Sequence, residues 1–225
     1  MKRANRPKRA GWTGKVRSLD VGEKLRLVPY WERGLHKTLR QELFLDPGPS
    51  FGAGDHPTTI MALELLEKAA ADSRARVASP RVLDVGTGTG VLAIAARVLG
   101  AGFTVGLDID GAAIFTARHN LQLNGLGPNP YAKASVHLFI GGVDAVQGKF
   151  DIVAANLAAP TLLQVVRPLT GCVERFLVLS GISEAMAEEV LRVYTSSGLE
   201  LRSTLQKEGW NAALLETGQG TSLST

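Results

Sequence analysis

The stretch 82-VLDVGTGTGVLAIAA-96 constrains this chain more than any other, because an apolar strand, three alternating glycines and an apolar helix follow one another without a spacer. Glycines at 86, 88 and 90 let a tight turn take positive φ, bring a ligand close to the backbone and seat the helix on the strand. From Pro80 onward the same alternation recurs. Strand 81-RVLDV-85 leads to a helix over 89–99, and 103-FTVGLD-108 leads to one over 111–124. Strand 135-SVHLFI-140 connects shortly to 151-DIVAAN-156, followed by a helix over 159–168, strand 175-RFLVLS-180 and a helix over 183–197. Continuous apolar strands interleaved with helices predict an α/β fold around a parallel sheet buried on both faces. The last two strands, 199-LELRSTL-205 and 210-WNAALLE-216, are joined by 206-QKEG-209 and read as a hairpin, so one of the seven strands runs antiparallel.

Ahead of this region, 24-KLRLVP-29 and 42-ELFLD-46 read as short strands or extended pieces, joined by a polar link containing Trp31 and His36. The glycine-rich loop 50-SFGAGDHPTT-59 then runs into a helix from Pro57 to about residue 70, with Ile60, Leu63 and Leu66 on one face and Pro57 tolerated in the first turn. The organisation expected is a basic, flexible tail over 1–23 and one domain over 24–225, of which 24–80 is an extension carrying the loop and its helix. A 45% hydrophobic content in 225 residues supports one sizeable core. Net charge is +4 overall; the first ten residues supply +5, leaving −1 for the remainder. Such a tail can touch RNA or simply keep the protein soluble, and a near-neutral body is no dedicated nucleic-acid clamp. One cysteine, Cys172, and four scattered histidines exclude an internal disulfide and argue against a Cys/His metal cluster, so no metal is expected. That pattern suits a reducing, cytoplasmic setting. No apolar run approaches the roughly 18 residues of a membrane span, and no apolar segment follows the charged N-terminus as a signal peptide would need.

Chemistry concentrates at the carboxyl ends of the predicted strands. Asp108 ends the second strand, twenty-two residues after Gly86, where a carboxylate accepts hydrogen bonds from both ribose hydroxyls of a nucleoside. The spacing is GxGxG rather than the GxGxxG of a dinucleotide fingerprint. S-adenosylmethionine, which has no pyrophosphate to cradle, is therefore the first expected cofactor and NAD the second. The loop after the third strand, 141-GGVDA-145, places Gly142, Val143 and Asp144 where an adenine would be read, although Gly-Gly-Val-Asp is also ordinary turn chemistry. Asn156 ends the fourth strand, where ligands bind in open α/β sheets, and offers both donor and acceptor; the competing, lesser reading is a plain helix N-cap. It lacks the Pro-Pro-aromatic continuation expected of enzymes that methylate DNA amino groups.

Taken in order, 47-PGPSFGAGDHPTT-59, 82-VLDVGTGTGVLAIAA-96, 106-GLDID-110, 155-ANLAAP-160, 179-LSGI-182 and 208-EGW-210 resemble the methyltransferases of ribosomal protein eleven of the large subunit, the PrmA family. The resemblance runs from about residue 24 to 216, and FGxGxHPTT is its most specific element. It implies a Rossmann-like, seven-stranded class I methyltransferase that uses S-adenosylmethionine to methylate protein amines, chiefly lysine side chains and an N-terminal amine. By motif the resemblance carries over four cofactor positions, Thr59, Gly86, Asp108 and Asn156; their neighbours Asp84, Thr87, Gly88, Gly90 and Ile109, with Gly142 and Val143 of the third-strand loop, complete the expected cofactor-binding set. Asn156, Thr59 and His56 are the candidate catalytic residues, with Asn156 beside the transferred methyl. His56 is a tempting general base, but its place before Pro57 also suits a cap. Phe51 is expected to wall the site. Two departures stand out. The family begins with a separate recognition domain, whereas fewer than fifty residues precede the loop here, so that domain is read as missing and the acceptor as open. The loop also reads GAGDH where many relatives have GTGTH, placing Asp55 beside the site.

Overall fold

The computed structural model describes residues 17–35, 37–46, 54–127 and 136–218. Strands β1 (Leu19–Val21), β2 (Leu25–Pro29) and β3 (Gln41–Leu45) form a small sheet in that order, with β1 antiparallel and β3 parallel to β2. Helix α1 (Pro57–Arg74) follows. The alternating region then gives β4 (Arg81–Val85), α2 (Val91–Val98), β5 (Phe103–Asp108), α3 (Gly111–Leu123), β6 (Val136–Ile140) and β7 (Phe150–Asn156). Short helices α4 (Ala159–Gln164) and α5 (Val166–Gly171) lead to β8 (Val173–Ser183), α6 (Ala187–Ser196), β9 (Leu199–Lys207) and β10 (Trp210–Thr217). The large sheet has the order β6-β5-β4-β7-β8-β10-β9, and only β10 runs antiparallel to its neighbours. This is the α/β, seven-stranded, mostly parallel architecture expected, with the C-terminal hairpin supplying the reversed strand.

Strand periodicity divides the interior into two halves. Val82, Ile152, Ala154, Phe176, Val178, Ala212 and Leu214 face α1, α2 and the small sheet. Their chain neighbours Leu83, Val153, Ala155, Leu177, Leu179, Ala213 and Leu215 face α4, α5 and α6. Adjacent strand side chains point to opposite faces, so an all-apolar strand must be covered on both. Val21, Leu25, Leu27, Leu43 and Leu45 of the small sheet join the first half, which makes it part of the main core. No helix of the described residues is long and apolar enough to cross a membrane, and among them no group of three His, Cys, Asp or Glu could hold a metal.

Several boundaries differ from the sequence reading. The range read as flexible tail, 1–23, contains β1; residues 1–16 of it lie outside the described residues. A three-residue strand has no periodic signal of its own and exists through pairing with β2 across Gly22, whose φ is +56°. The helix read over 159–168 is two helices separated at Val165, where φ is −104° and ψ 14°. Pro168 explains the break, because its ring would collide with the carbonyl of Gln164 in a continuous helix. The strand read as ending at Ser180 continues to Ser183, because β10 keeps pairing through Asn211↔Ile182 and Trp210↔Ser183. The helix after it therefore begins at Ala187 rather than 183, preceded by a 3-10 turn over Glu184–Met186.

Candidate active site

The glycine turn is built from beneath. Asp84 is 1% exposed, and its Oδ2 accepts from the Thr87 hydroxyl at 2.6 Å and the Ala93 N–H at 3.1 Å, tying the strand to both the turn and helix α2. Its Oδ1 is buried without a partner. Burial pushes this carboxyl from 3.8 up to about 7; the two bonds pull it down, and the negative charge of Asp108 adds a smaller push upward. Above it, the Gly86 and Thr87 N–H groups both donate to the Leu107 carbonyl at 2.9 Å. Gly90 caps α2 with φ +81°, and a Cβ there would lie 3.2 Å from the Ala117 backbone, so glycine is needed for packing as well as for the turn.

Asp108 closes the next strand. Its Oδ2 accepts from the Gly88 N–H and its Oδ1 from the Asp110 N–H, each at 3.0 Å. An ionised carboxylate has about four acceptor positions, so each oxygen retains one for a ligand hydroxyl. Ile109, next in the chain, is 80% exposed and offers an apolar face beside that carboxylate.

On the opposite side, the HPTT segment opens α1. His56 is the N-cap: its Nδ1 accepts from the Thr58 N–H at 3.3 Å and lies 2.8 Å from the Thr58 hydroxyl. Its ring meets Trp210 edge-on, with centroids 5.3 Å apart. Thr59, fully buried, accepts from Asn156 Nδ2 at 3.4 Å, while Asn156 Oδ1 is buried without a hydrogen-bond partner. Leu157, following Asn156, donates its N–H to the Ser180 carbonyl at 3.1 Å. Its backbone passes so close to Gly181 (φ +83°) that no side chain fits there.

These pieces line one cleft of about 770 Å³ at the carboxyl ends of β4, β5, β7 and β8, the usual ligand position in open α/β sheets. It brings together His56, Thr59, Gly86, Thr87, Gly88, Asp108, Ile109, Gly142, Val143 and Asn156. Asp84 and Gly90 are not in its lining; they brace the turn from below and behind. Asp144 is exposed beside Gly142 and is likewise outside the lining. Phe51, the preceding part of the loop (47–53) and the basic tail lie outside the described residues. Trp210, at the start of β10, lines the cleft; 208-EGW-210 belongs to the resemblance but gives it no site role, and pairing of β10 with the end of β8 carries it there. Thr161 is unmarked, while Gly181, within 179-LSGI-182, carries part of the resemblance without a site role attached to it.

Among the described residues no lysine or arginine lines this cleft, and apart from His56 the titratable side chains they place there are Asp108 and Asp110. A pyrophosphate would meet carboxylates and no countercharge. A nucleoside carrying a positive group meets the opposite situation, an acid at the ribose end and an unpartnered amide oxygen at the far end. The residues present therefore fit S-adenosylmethionine and fit NAD poorly.

The family described as "Ribosomal protein L11 methyltransferase (PrmA)" matches residues 9–217. The chain belongs to this family. A ribosomal protein L11 methyltransferase of Geobacter metallireducens is 36% identical over 211 residues, covering 93% of this chain and 66% of the relative. One from Pelobacter propionicus is 38% identical over 205 residues, covering 90% of this chain and 64% of the relative. This PrmA-family chain thus spans a little under two thirds of the length of such relatives. Among solved structures, the ribosomal protein L11 methylase from Lactobacillus delbrueckii subsp. bulgaricus superposes with a TM-score of 0.76 at 27% identity, over 90% of this chain and 99% of that one.

Proposed function

We propose that this chain is an S-adenosylmethionine-dependent methyltransferase acting on a protein amine, a lysine side chain of a ribosomal protein, in the cytoplasm. The catalytic unit is residues 24–225, with 24–80 as the extension that brings His56 and Thr59 to the cleft. The observation that carries the reading is the buried, unpartnered Oδ1 of Asn156, in the same cleft as Asp108. A buried amide oxygen without a partner is destabilising by about 1–3 kcal/mol, and an incoming N–H donor relieves that.

When bound, the cofactor supplies an electrophilic methyl group on a positively charged sulfur. The chain's own residues do the rest. Asp108 holds the ribose hydroxyls, Gly86 and Gly88 admit the ligand to the backbone, and Ile109, Val143 and Gly142 face the adenine. Thr59 fixes the Asn156 amide through its Nδ2, so Oδ1 points to the acceptor. A free lysine, with a pKa near 10.4, must release its proton to water before its lone pair can attack. The apolar walls from Leu157 and Trp210 desolvate the amine and favour its neutral form, and Asn156 Oδ1 accepts from an N–H of that amine to aim its lone pair. Alignment of this kind can supply roughly 7–11 kcal/mol. His56 serves as the cap of α1 rather than as a base.

Labelled S-adenosylmethionine incubated with the protein and isolated ribosomes should put label on a ribosomal protein lysine. Asn156→Ala should lower turnover on the order of 100-fold, with cofactor affinity and melting temperature nearly kept. Label in RNA would replace the protein-amine reading with RNA methylation, and full activity of Asn156→Ala would remove the acceptor role of that amide.

A further inference from the structure

The outer edge of β3 is paired by side chains instead of a strand. The Phe44 N–H donates to Asn124 Oδ1 at 2.9 Å, and Asn124 Nδ2 returns a bond to the Phe44 carbonyl at 2.7 Å. Two residues on, the Asp46 N–H donates to Asn120 Oδ1 at 2.8 Å, and Asn120 Nδ2 donates to the Asp46 carbonyl at 3.1 Å. Asparagines one helical turn apart, at the end of α3, thus imitate a β-ladder. They are not equivalent. Asn120 is fully buried and also donates to the Thr89 carbonyl at 2.9 Å, inside the glycine turn. Thr89 follows Gly88, whose N–H is fixed on Asp108. On the other flank of β3, Gly54 lies against the small sheet with φ +98°; a Cβ there would come within 2.8 Å of Leu27 and 3.5 Å of Leu45. The end of β3 is therefore held between the ribose-side turn and the segment that delivers His56 and Thr59.

We propose that Asn120 is a positioning residue that couples the glycine turn to β3, keeping the cofactor side of the cleft in register with the acceptor side. This rests on the reading of the cleft as an S-adenosylmethionine site. Both Nδ2 hydrogens are used, one on each element, so no single-donor side chain can replace it. Coupling of this kind is reciprocal: a ligand that orders the turn also steadies β3 at Asp46.

Asn120→Asp keeps the shape and the acceptor for the Asp46 N–H but sets an oxygen against two carbonyls. Asn124→Asp makes the same change on the same strand edge without touching the turn. Both variants should melt at lower temperature. Only Asn120→Asp should weaken S-adenosylhomocysteine binding, by about tenfold as expected for one lost internal hydrogen bond, and speed amide hydrogen exchange over 86–90 in the ligand-free protein. Equal affinities and equal turn exchange in the two variants would overturn the proposal. If Asn120→Asp does not fold, the wild-type protein decides. Adding S-adenosylhomocysteine should then slow exchange at Asp46 more than at Phe44, and equal protection of the two amides counts against the coupling. Should the wild-type protein bind no S-adenosylhomocysteine, the cofactor reading fails, while turn exchange in the ligand-free variants still judges Asn120: acceleration confined to Asn120→Asp supports the tie and its absence overturns it.

Discussion

Replacing Asp84 by asparagine should flatten part of the protein's stability–pH profile. The carboxyl titrates at about 7 in the folded protein against 3.8 when unconstrained, chiefly because it is buried. For an acid with a raised folded value, the unfolded state binds fewer protons between these limits, so stability falls as pH rises. The contribution is fully present below about 3.8 and is lost as pH rises through about 7. With 1.36 kcal/mol per pKa unit, the penalty is about 2 kcal/mol at pH 5 and about 4 kcal/mol at pH 8. Wild type should therefore lose roughly 2–3 kcal/mol relative to Asp84→Asn between those pH values, or roughly 5–10 °C in melting temperature for a domain of this size. Asparagine keeps an acceptor for Thr87 and Ala93, and its amide adds a buried donor whose cost of about 1–3 kcal/mol does not depend on pH. The quantity to read is thus the difference in slope between the two proteins, which cancels every other group the two have in common. Urea unfolding at pH 5, 6, 7 and 8 measures it. Parallel profiles for the two proteins would refute the argument that the turn rests on a buried carboxyl poised near neutrality.

Two further outcomes probe the cleft itself. Asp108→Ala should weaken S-adenosylhomocysteine binding by about 10–100-fold, since hydrogen bonds to a charged group contribute about 1.5–3 kcal/mol; calorimetric titration with unchanged affinity would move the ribose elsewhere. His56→Asn keeps an N-cap acceptor for Thr58, so its pH–rate profile should superimpose on that of wild type with most activity retained. Loss of an acid-side limb only in the variant would restore His56 as a proton acceptor.

Much of this protein is legible along the chain because its signals are local. Residues 81–85 and 103–108 read as strands and fold as β4 and β5 with those bounds, since an apolar run bounded by Pro80 and a glycine turn has one reasonable conformation. The alternation of strands with helices dictates a parallel sheet, and the hairpin dictates one reversed strand. Gly86, Gly88 and Asp108 are readable as a nucleoside site because turn geometry and strand ends follow from spacing. The differences have separate causes: pairing with β10, distant in sequence, lengthens β8 beyond Ser180, a short hairpin with β2 makes a strand of Leu19–Val21, and Pro168 splits the helix read over 159–168.

Two matters belong to the tertiary structure alone. Asp84 is one more acid in a glycine motif until the sheet and α2 bury it, and only then does desolvation change its charge. Asn156 is readable as a site residue, but its pairing is not, and Asn120 and Trp210 carry no site signal of their own; all three are separated from their partners by dozens of positions. Packing leaves Oδ1 of Asn156 unpartnered, seats Asn120 between Thr89 and Asp46, and brings Trp210 against His56. Periodicity reports which face of an element is buried; it carries no information on which polar atom is left without a partner once the faces meet.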